Sequence, residues 1–417
     1  MSQDADTDSE METRERVEPM IEGSLDLAEK NRVPVSIYLD NQATTPTDPR
    51  VTEAMLPYFT EKFGNPHSAD HAYGWDAEDA VERARAQVAE LIGAEPREII
   101  FTSGATESNN LAIKGAARFH KDRKPHVVTC VTEHKCVLES VRRLEREGHR
   151  VTFVPVLADG LIDLAALADA VDEETSVVSV MAANNEIGVL QPIDEIAAIC
   201  HEKGAYFHCD AAQAVGKIPL SVRETQIDLL SISAHKVYGP MGIGALFVRR
   251  RPRVRLEAEI DGGGQERGLR SGTLPTPLCV GFGEAARIAH AEMEEERARV
   301  EVLTERLHSS LLASIPGIHL NGHPGQRLSG NLNLSFEGVD AATLLRAVPE
   351  LCLSTGSACT SASVEPSYVL QALGLDADLA RGSLRVGVGR FNTEVEIDQA
   401  VILLAKAVSR IREEKQG

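Results

Sequence analysis

Ser231-Ile-Ser-Ala-His-Lys-Val-Tyr-Gly-Pro-Met-Gly-Ile-Gly244 lies between two apolar, β-type runs, Ile227 to Ile232 and Gly244 to Val248. Its lysine, Lys236, follows Ser233 and His235 and precedes a glycine-rich turn, so the chain can hold the amine partly desolvated between two strands. Amines of that kind form Schiff bases with carbonyl compounds. The ordinary alternative is a solvated surface lysine, because lysine is almost never fully buried unless it is paired. The rest of the sequence has to decide between them.

Working outward, α and β patterns alternate. Ile37 to Pro46 reads as a short strand entering a polar turn, and Pro49 opens a helix with Val51, Met55, Leu56 and Phe59 at helical spacing. A second helical pattern covers about Ala77 to Leu91. Strands are then predicted at Glu98 to Thr102, His126 to Val131, Val151 to Val156, Ser176 to Met181 and Ala205 to Cys209, most of them separated by helices. This is the α/β pattern of a doubly wound, largely parallel sheet covered on both faces. Ligands of such sheets bind beyond the carboxyl ends of the strands, so short polar motifs just after strands carry the most information.

Four such motifs occur. Ser103-Gly-Ala-Thr106 sets a small turn at a helix N-terminus, where Ala105 and Thr106 would offer N–H groups and a hydroxyl to a phosphate; alone, Ser and Thr there are more often plain N-caps. Thr132-Glu-His134 places an imidazole after a strand, able to stack on a flat ring. His208-Cys-Asp-Ala-Ala-Gln213 ends a strand in Asp210 with an amide, Gln213, shortly after. A buried carboxylate there needs a cationic partner, and a protonated pyridine nitrogen would serve. Asn184-Asn-Glu-Ile-Gly188 offers side-chain amides, although Asn before Gly often only makes a turn. Taken along the chain, the phosphate turn, the ring-stacking His134, Asp210 for a pyridinium and Lys236 for a Schiff base together describe a site for pyridoxal 5′-phosphate.

The chain resembles the class V aminotransferase-like, fold-type I enzymes from about Ile37 to its end, and within them the housekeeping, iron–sulfur-cluster type of cysteine desulfurase. The segments that carry the resemblance are Tyr38 to Pro46, Phe101-Thr-Ser-Gly-Ala-Thr-Glu-Ser108, Asn184 to Gly188, Ala234-His-Lys-Val-Tyr-Gly-Pro240, Arg270-Ser-Gly-Thr-Leu-Pro275 and, most specific, Ser354-Thr-Gly-Ser-Ala-Cys-Thr-Ser-Ala-Ser-Val-Glu-Pro-Ser-Tyr368. The resemblance implies Lys236 as the Schiff-base lysine, Asp210 as partner of the pyridine nitrogen, Gln213 as donor to the ring oxygen and His134 as the residue stacked on the ring. It implies Thr106, Ser233 and His235 as phosphate ligands, with Thr273 supplied by the other subunit of a homodimer. Asn185 and Arg385 would grip the substrate carboxylate, a role that suits a bidentate guanidinium; Arg390 lies nearby, and Arg385 is preferred. Gly262-Gly-Gly264 lacks the strand–GxGxxG–helix setting of a dinucleotide fingerprint.

Cys359 is the second centre. Of the cysteines at 130, 136, 200, 209, 279, 352 and 359, it alone sits in a run of Gly, Ser, Ala and Thr, which reads as a mobile loop of about residues 354–365. Cys352, in Leu351-Cys-Leu353, reads instead as a buried, inert thiol. The resemblance implies that L-cysteine is converted to L-alanine while its sulfur passes to Cys359 as a persulfide. The sulfur would go on to acceptor proteins such as an iron–sulfur scaffold, with tRNA thiolation an open destination. No neighbour in sequence activates Cys359; His134 is a candidate. A selenocysteine lyase or aminotransferase on the same fold, or a non-catalytic sulfur-relay subunit, stays open at this point.

Composition bounds these readings. With 417 residues, 43% hydrophobic and 25% charged, the chain is expected to form two domains. These are a cofactor domain over 46–293 and a smaller α+β domain combining 35–45 with 294–417, with a heptad-like helix from Glu284 to Leu312 between them and small-domain strands at Leu332 to Phe336 and Ser383 to Gly387. A formal charge of −20 opposes nucleic acid and anionic membranes. No run is long enough to span a bilayer, no leader is evident and the seven cysteines form no CxxC pair, so a cytoplasmic protein without disulfides or a metal site is expected. Residues 1–34 read as a disordered acidic tail, too acidic for a transit peptide. The longer C-terminal tail of the desulfurase group is not evident before Gly417, which leaves scaffold docking open.

Overall fold

The computed structural model describes residues 36–356 and 367–416. The N-terminal stretch 1–34 and most of 354–365, Cys359 included, therefore lie outside the described residues. Twelve strands occur among the described residues: β1 (Ile37–Tyr38), β2 (Ile99–Thr102), β3 (His126–Cys130), β4 (Arg150–Val154), β5 (Thr175–Ser179), β6 (Tyr206–Asp210), β7 (Leu229–Ser233), β8 (Gly244–Val248), β9 (Ile318–Leu320), β10 (Asn331–Phe336), β11 (Leu351–Cys352) and β12 (Ser383–Gly387). Seven of them form one sheet in the order β2-β8-β7-β6-β5-β3-β4. Its neighbours pair in parallel except β8, which runs antiparallel to both β2 and β7.

The strands are short runs of Val, Ile, Leu and Phe because both faces are covered. Consecutive residues point to opposite sides. Val127, Val177, Leu229 and Leu246 meet the helices Ala105–His120 and Lys135–Arg146 on one face, while Val128, Val178, Leu230 and Phe247 belong to the larger core on the other. The strand predicted through Val156 stops at Val154, since Pro155 has no N–H to continue the ladder. The helix predicted from Ala77 begins at Ala72, where His71 Nδ1 accepts from Gly74 N at 3.2 Å and caps it.

A second core gathers Ile37, Leu39, Leu332, Leu334, Phe336, Leu384, Val386, Ile397 and Leu404 around the antiparallel sheet β12-β10-β9 and the short β1–β11 pair. The helix Thr276–Ser314 reaches further than its heptad pattern indicated, because Pro277 sets its first turn. Phe282, Ala285 and Ala289 on it join the larger core, and Val300, Leu303, Leu307 and Leu311 join the second.

Candidate functional site

Because the strands other than β8 point the same way, their carboxyl ends converge, and a cavity of about 570 Å³ lies there. The end of β2 supplies Ser103, Gly104, Ala105 and Thr106. Beyond β3 come His134 and Cys136, beyond β5 Asn185, at and beyond the end of β6 Asp210 and Gln213, and at and beyond the end of β7 Ser233, His235 and Lys236; all line this cavity. The helix starting at Ala105 has no side-chain cap at Gly104, so its first N–H groups face the cavity end where Ser233 and His235 stand. That is an anion site by dipole and by donors. Gly244 at the start of β8 is required by this packing: a Cβ there would lie 2.7 Å from Gly104 Cα and 2.4 Å from the Ile232 carbonyl oxygen.

Lys236 Nζ donates to the carbonyl oxygens of Gln42 and, at 2.7 Å, Ala43. Desolvation, reinforced by the positive charges of Lys217 and Arg385, pulls its ammonium down to about 7, so a large share is free amine at neutral pH. The solvated-lysine alternative is thereby set aside. Gln213 Nε2 donates to the same Gln42 carbonyl at 2.9 Å. Asp210 accepts from Ala212 N at 3.0 Å and from Asn109 Nδ2 at 2.7 Å. Its expected cation is not a side chain: no ion pair to Asp210 occurs among the described residues, leaving the carboxylate to a cation brought by a ligand. His134 caps the helix Lys135–Arg146, its Nδ1 accepting from Cys136 N at 3.3 Å. Burial holds this imidazole below its ordinary value, hence neutral, as a ring that stacks should be.

Arg385, on β12, is 1% exposed and reaches the cavity from the second sheet. Its Nη1 donates to the Asn185 carbonyl at 2.9 Å and its Nη2 to Asp40 Oδ1 at 2.7 Å, while Nε is buried without a partner among the described residues. Asn185 Oδ1 is likewise buried and unpartnered. Such orphaned groups beside a cavity call for a polar ligand. Arg390 is occupied elsewhere: it pairs with Asp48 at 2.8 Å and Glu296 at 2.7 Å and lies 4.1 Å over the Tyr238 ring, a structural setting.

The segment that carries Cys359 leaves and rejoins the described chain at Gly356 and Ser367. Ser367 Oγ donates to Glu186 Oε2 at 2.5 Å, and a Cβ on Gly356 would lie 3.2 Å from that same oxygen. Both ends therefore meet at Glu186, next to Asn185. Thr273 is exposed and does not line the cavity of its own chain. Cys352 is half-buried on β11 rather than buried, because β11 pairs only with β1. Cys136 was not singled out by sequence, yet its Sγ lies 3.0 Å from His134 Nδ1 inside the cavity; burial pushes that thiol up to about 12. Asp40, Gln42, Ala43 and Asn109 were also missed as site residues. The first three sit in the quoted Tyr38 to Pro46 segment, whereas Asn109 lies one turn inside a helix and carries no local signal.

The family profile "Aminotransferase class-V" matches residues 37–400. A protein of Rickettsia bellii (strain OSU 85-389) named "Cysteine desulfurase IscS" is 58% identical over 383 residues, covering 92% of this chain and 93% of that protein. A "Cysteine desulfurase" of Pongo abelii is 60% identical over 377 residues, covering 90% of this chain and 82% of that protein. Among solved structures, a "NifS-like protein" is 38% identical with a TM-score of 0.84, covering 90% of this chain and 100% of the other. "SspA in complex with cysteine" is 38% identical with a TM-score of 0.76, covering 85% and 99%.

Proposed function

The chain belongs to the aminotransferase class-V family, and on that premise we infer that it is a pyridoxal 5′-phosphate-dependent cysteine desulfurase, an enzyme that converts L-cysteine to L-alanine and retains the sulfur as a persulfide for iron–sulfur cluster assembly. The observation that carries the residue roles is the meeting, in one cavity, of an amine near neutrality, an unpaired carboxylate, a neutral imidazole and a helix N-terminus, with a guanidinium entering from the second sheet. These groups fit the cofactor. Ala105, Thr106, Ser233 and His235 would hold its phosphate, Asp210 its ring nitrogen, Gln213 its ring oxygen, His134 its face and Lys236 its aldehyde carbon. When bound, the cofactor supplies an electron sink for the substrate α-carbon.

Arg385, through the N–H donors it has open in the cavity, and Asn185, through its side-chain NH₂, hold the substrate carboxylate. Lys236, as free amine, takes the α-proton and later returns a proton to the carbon skeleton. Asp210, oriented by Asn109 and Ala212 N, keeps the ring nitrogen protonated. The Cys359 thiolate attacks the substrate sulfur: a sulfur–sulfur bond forms, the carbon–sulfur bond breaks, and its electron pair stays with the carbon skeleton that leaves as L-alanine. Sulfur then sits on Cys359 for an acceptor protein such as an iron–sulfur scaffold. His134 remains the candidate to deprotonate that thiol.

The homodimer belongs to the same reading. Leu56, Phe59, Phe63, Tyr73 and Trp75 are large exposed apolar side chains on the helices Pro57–Thr60 and the start of Ala72–Leu91 and on the chain just before and after the first of these, apolar surface of the kind that a second copy covers. Thr273, exposed and outside its own cavity, would complete the phosphate site of that copy. The two cores support a division into a cofactor domain of residues 46–293 and a smaller domain of 35–45 with 294–417. No helix of the described residues is long and apolar enough to cross a membrane. Six cysteines are free there, which supports a reducing, cytoplasmic setting.

Cys359→Ser tests the sulfur step. The variant should still bind L-cysteine and shift the cofactor absorbance, because Lys236, Asp210 and Arg385 are intact, while alanine and persulfide fall to background. In the wild type, ³⁵S from labelled cysteine should appear as reductant-labile label on the peptide containing Cys359 and not on that containing Cys352. Alanine release at the wild-type rate by Cys359→Ser, or label on another cysteine, would remove Cys359 from the mechanism.

A further inference from the structure

Lys217 is a second desolvated lysine beside the site, and the reaction outlined above gives it no part. Among the described residues its Nζ has one hydrogen-bond partner, Gln213 Oε1 at 3.2 Å, and no carboxylate within ion-pair distance. Glu296, whose charge acts on it, is already held by Arg390 at 2.7 Å. A desolvated ammonium with one neutral acceptor is a stability cost, and such groups concentrate at functional sites.

The hydrogen bonds around it form one line. Lys217 Nζ donates to Gln213 Oε1, Gln213 Nε2 donates to the Gln42 carbonyl at 2.9 Å, and the same carbonyl accepts from Lys236 Nζ. Reversing the Gln213 amide would set its NH₂ against the Lys217 ammonium and its oxygen against the Gln42 oxygen, two repulsions in place of two bonds. We propose that Lys217 is a positioning residue of the reaction, acting on the cofactor site through Gln213 and acting on Lys236 through its charge.

The first effect keeps the Gln213 NH₂ as the group presented along the line to Lys236. The second makes protonation of Lys236 unfavourable. Lys236 faces Lys217 and Arg385 as like charges and Asp40 and Asp210 as opposite ones, with His134 and His235 alongside, both held neutral by burial. Removing the Lys217 charge leaves one positive neighbour against two negative ones. The proposal rests on the reading of Lys236 as the amine that bonds the cofactor.

Apo-enzyme and pyridoxal phosphate provide the test. The rate of cofactor uptake is followed by absorbance against pH, and borohydride trapping locates the attachment. Wild type should attach the cofactor at Lys236 with a midpoint near 7. Lys217→Met should move that midpoint up by about one unit, the cofactor's own ionisation being common to both proteins. Above both midpoints, where the Lys217 group, itself lowered to about 8 by burial, still offers Gln213 an N–H as a neutral amine in wild type, the Kd of Lys217→Met for the cofactor should rise roughly three- to tenfold, as for one lost hydrogen bond. Lys217→Gln, which restores a donor without charge, should recover the Kd and keep the shifted midpoint. Midpoints of both variants coinciding with wild type would overturn the proposal while leaving the desulfurase reading intact. Failure of the wild type to attach the cofactor at Lys236 would overturn that reading and this proposal with it.

Discussion

Replacing Arg385 by Lys keeps one positive charge at the cavity wall and removes the fork. In the structure Nη1 is committed to the Asn185 carbonyl and Nη2 to Asp40, so the donors left for a ligand are Nε–H and the second hydrogens of the two Nη groups. An ammonium has three hydrogens, and keeping both existing partners leaves it one. The substrate carboxylate then loses at least one charge-assisted hydrogen bond, about 1.5–3 kcal/mol. That is roughly a 10- to 150-fold rise in KM for L-cysteine, with kcat much less affected because the amine and Asp210 are untouched. Arg390→Lys is the matched comparison: it breaks contacts to Asp48, Glu296 and the Tyr238 ring and should lower Tm while leaving KM near wild type. The assay is alanine release against L-cysteine concentration, with thermal melting of the same samples. A KM for Arg385→Lys equal to wild type, or an equal rise in Arg390→Lys, would refute the assignment of the carboxylate grip.

Asp210→Asn should retain part of the bound cofactor and lose most turnover, and Asn109→Ala should move the same way by about tenfold, since it removes the donor to Asp210 Oδ2; a wild-type rate in Asp210→Asn would make that residue a turn cap. Sedimentation should show a dimer at assay concentrations, and an active monomer would remove Thr273 from the neighbouring site. His208 bridges Ser179 Oγ and Ser231 Oγ inside the sheet, and burial pulls its imidazole down to about 3 from 6.5. Because the folded state resists protonation, its contribution is complete above about pH 6.5 and is lost as pH falls from there toward about 3, by up to about 1.4 kcal/mol per pH unit. Urea unfolding should show wild type losing about 1.6 kcal/mol more than His208→Gln between about pH 6.5 and about pH 5, and parallel losses would contradict this account.

The alternation of apolar strands with amphipathic helices determined the doubly wound sheet, since burial on both faces demands continuous Val, Ile and Leu runs that local sequence displays. The same logic pointed to Thr106, His134, Asp210 and Lys236: each ends or follows a strand, parallel strands end on one side, and the cavity had to form there. Tertiary structure alone decided what depends on residues far apart in the chain. Arg385 and Arg390 are alike in sequence, and only the packing of β12 and of the helix Thr276–Ser314 gives one to the cavity and the other to Asp48 and Glu296. Asp210 gains its orienting donor from Asn109 on the helix Ala105–His120, and Lys236 owes its low proton affinity to the desolvation that surrounds it and to the charges of Lys217 and Arg385. Residue types carry chemistry and periodicity carries burial, but a charge acts through space, so its effect becomes legible only once the chain has brought its neighbours within a few ångströms.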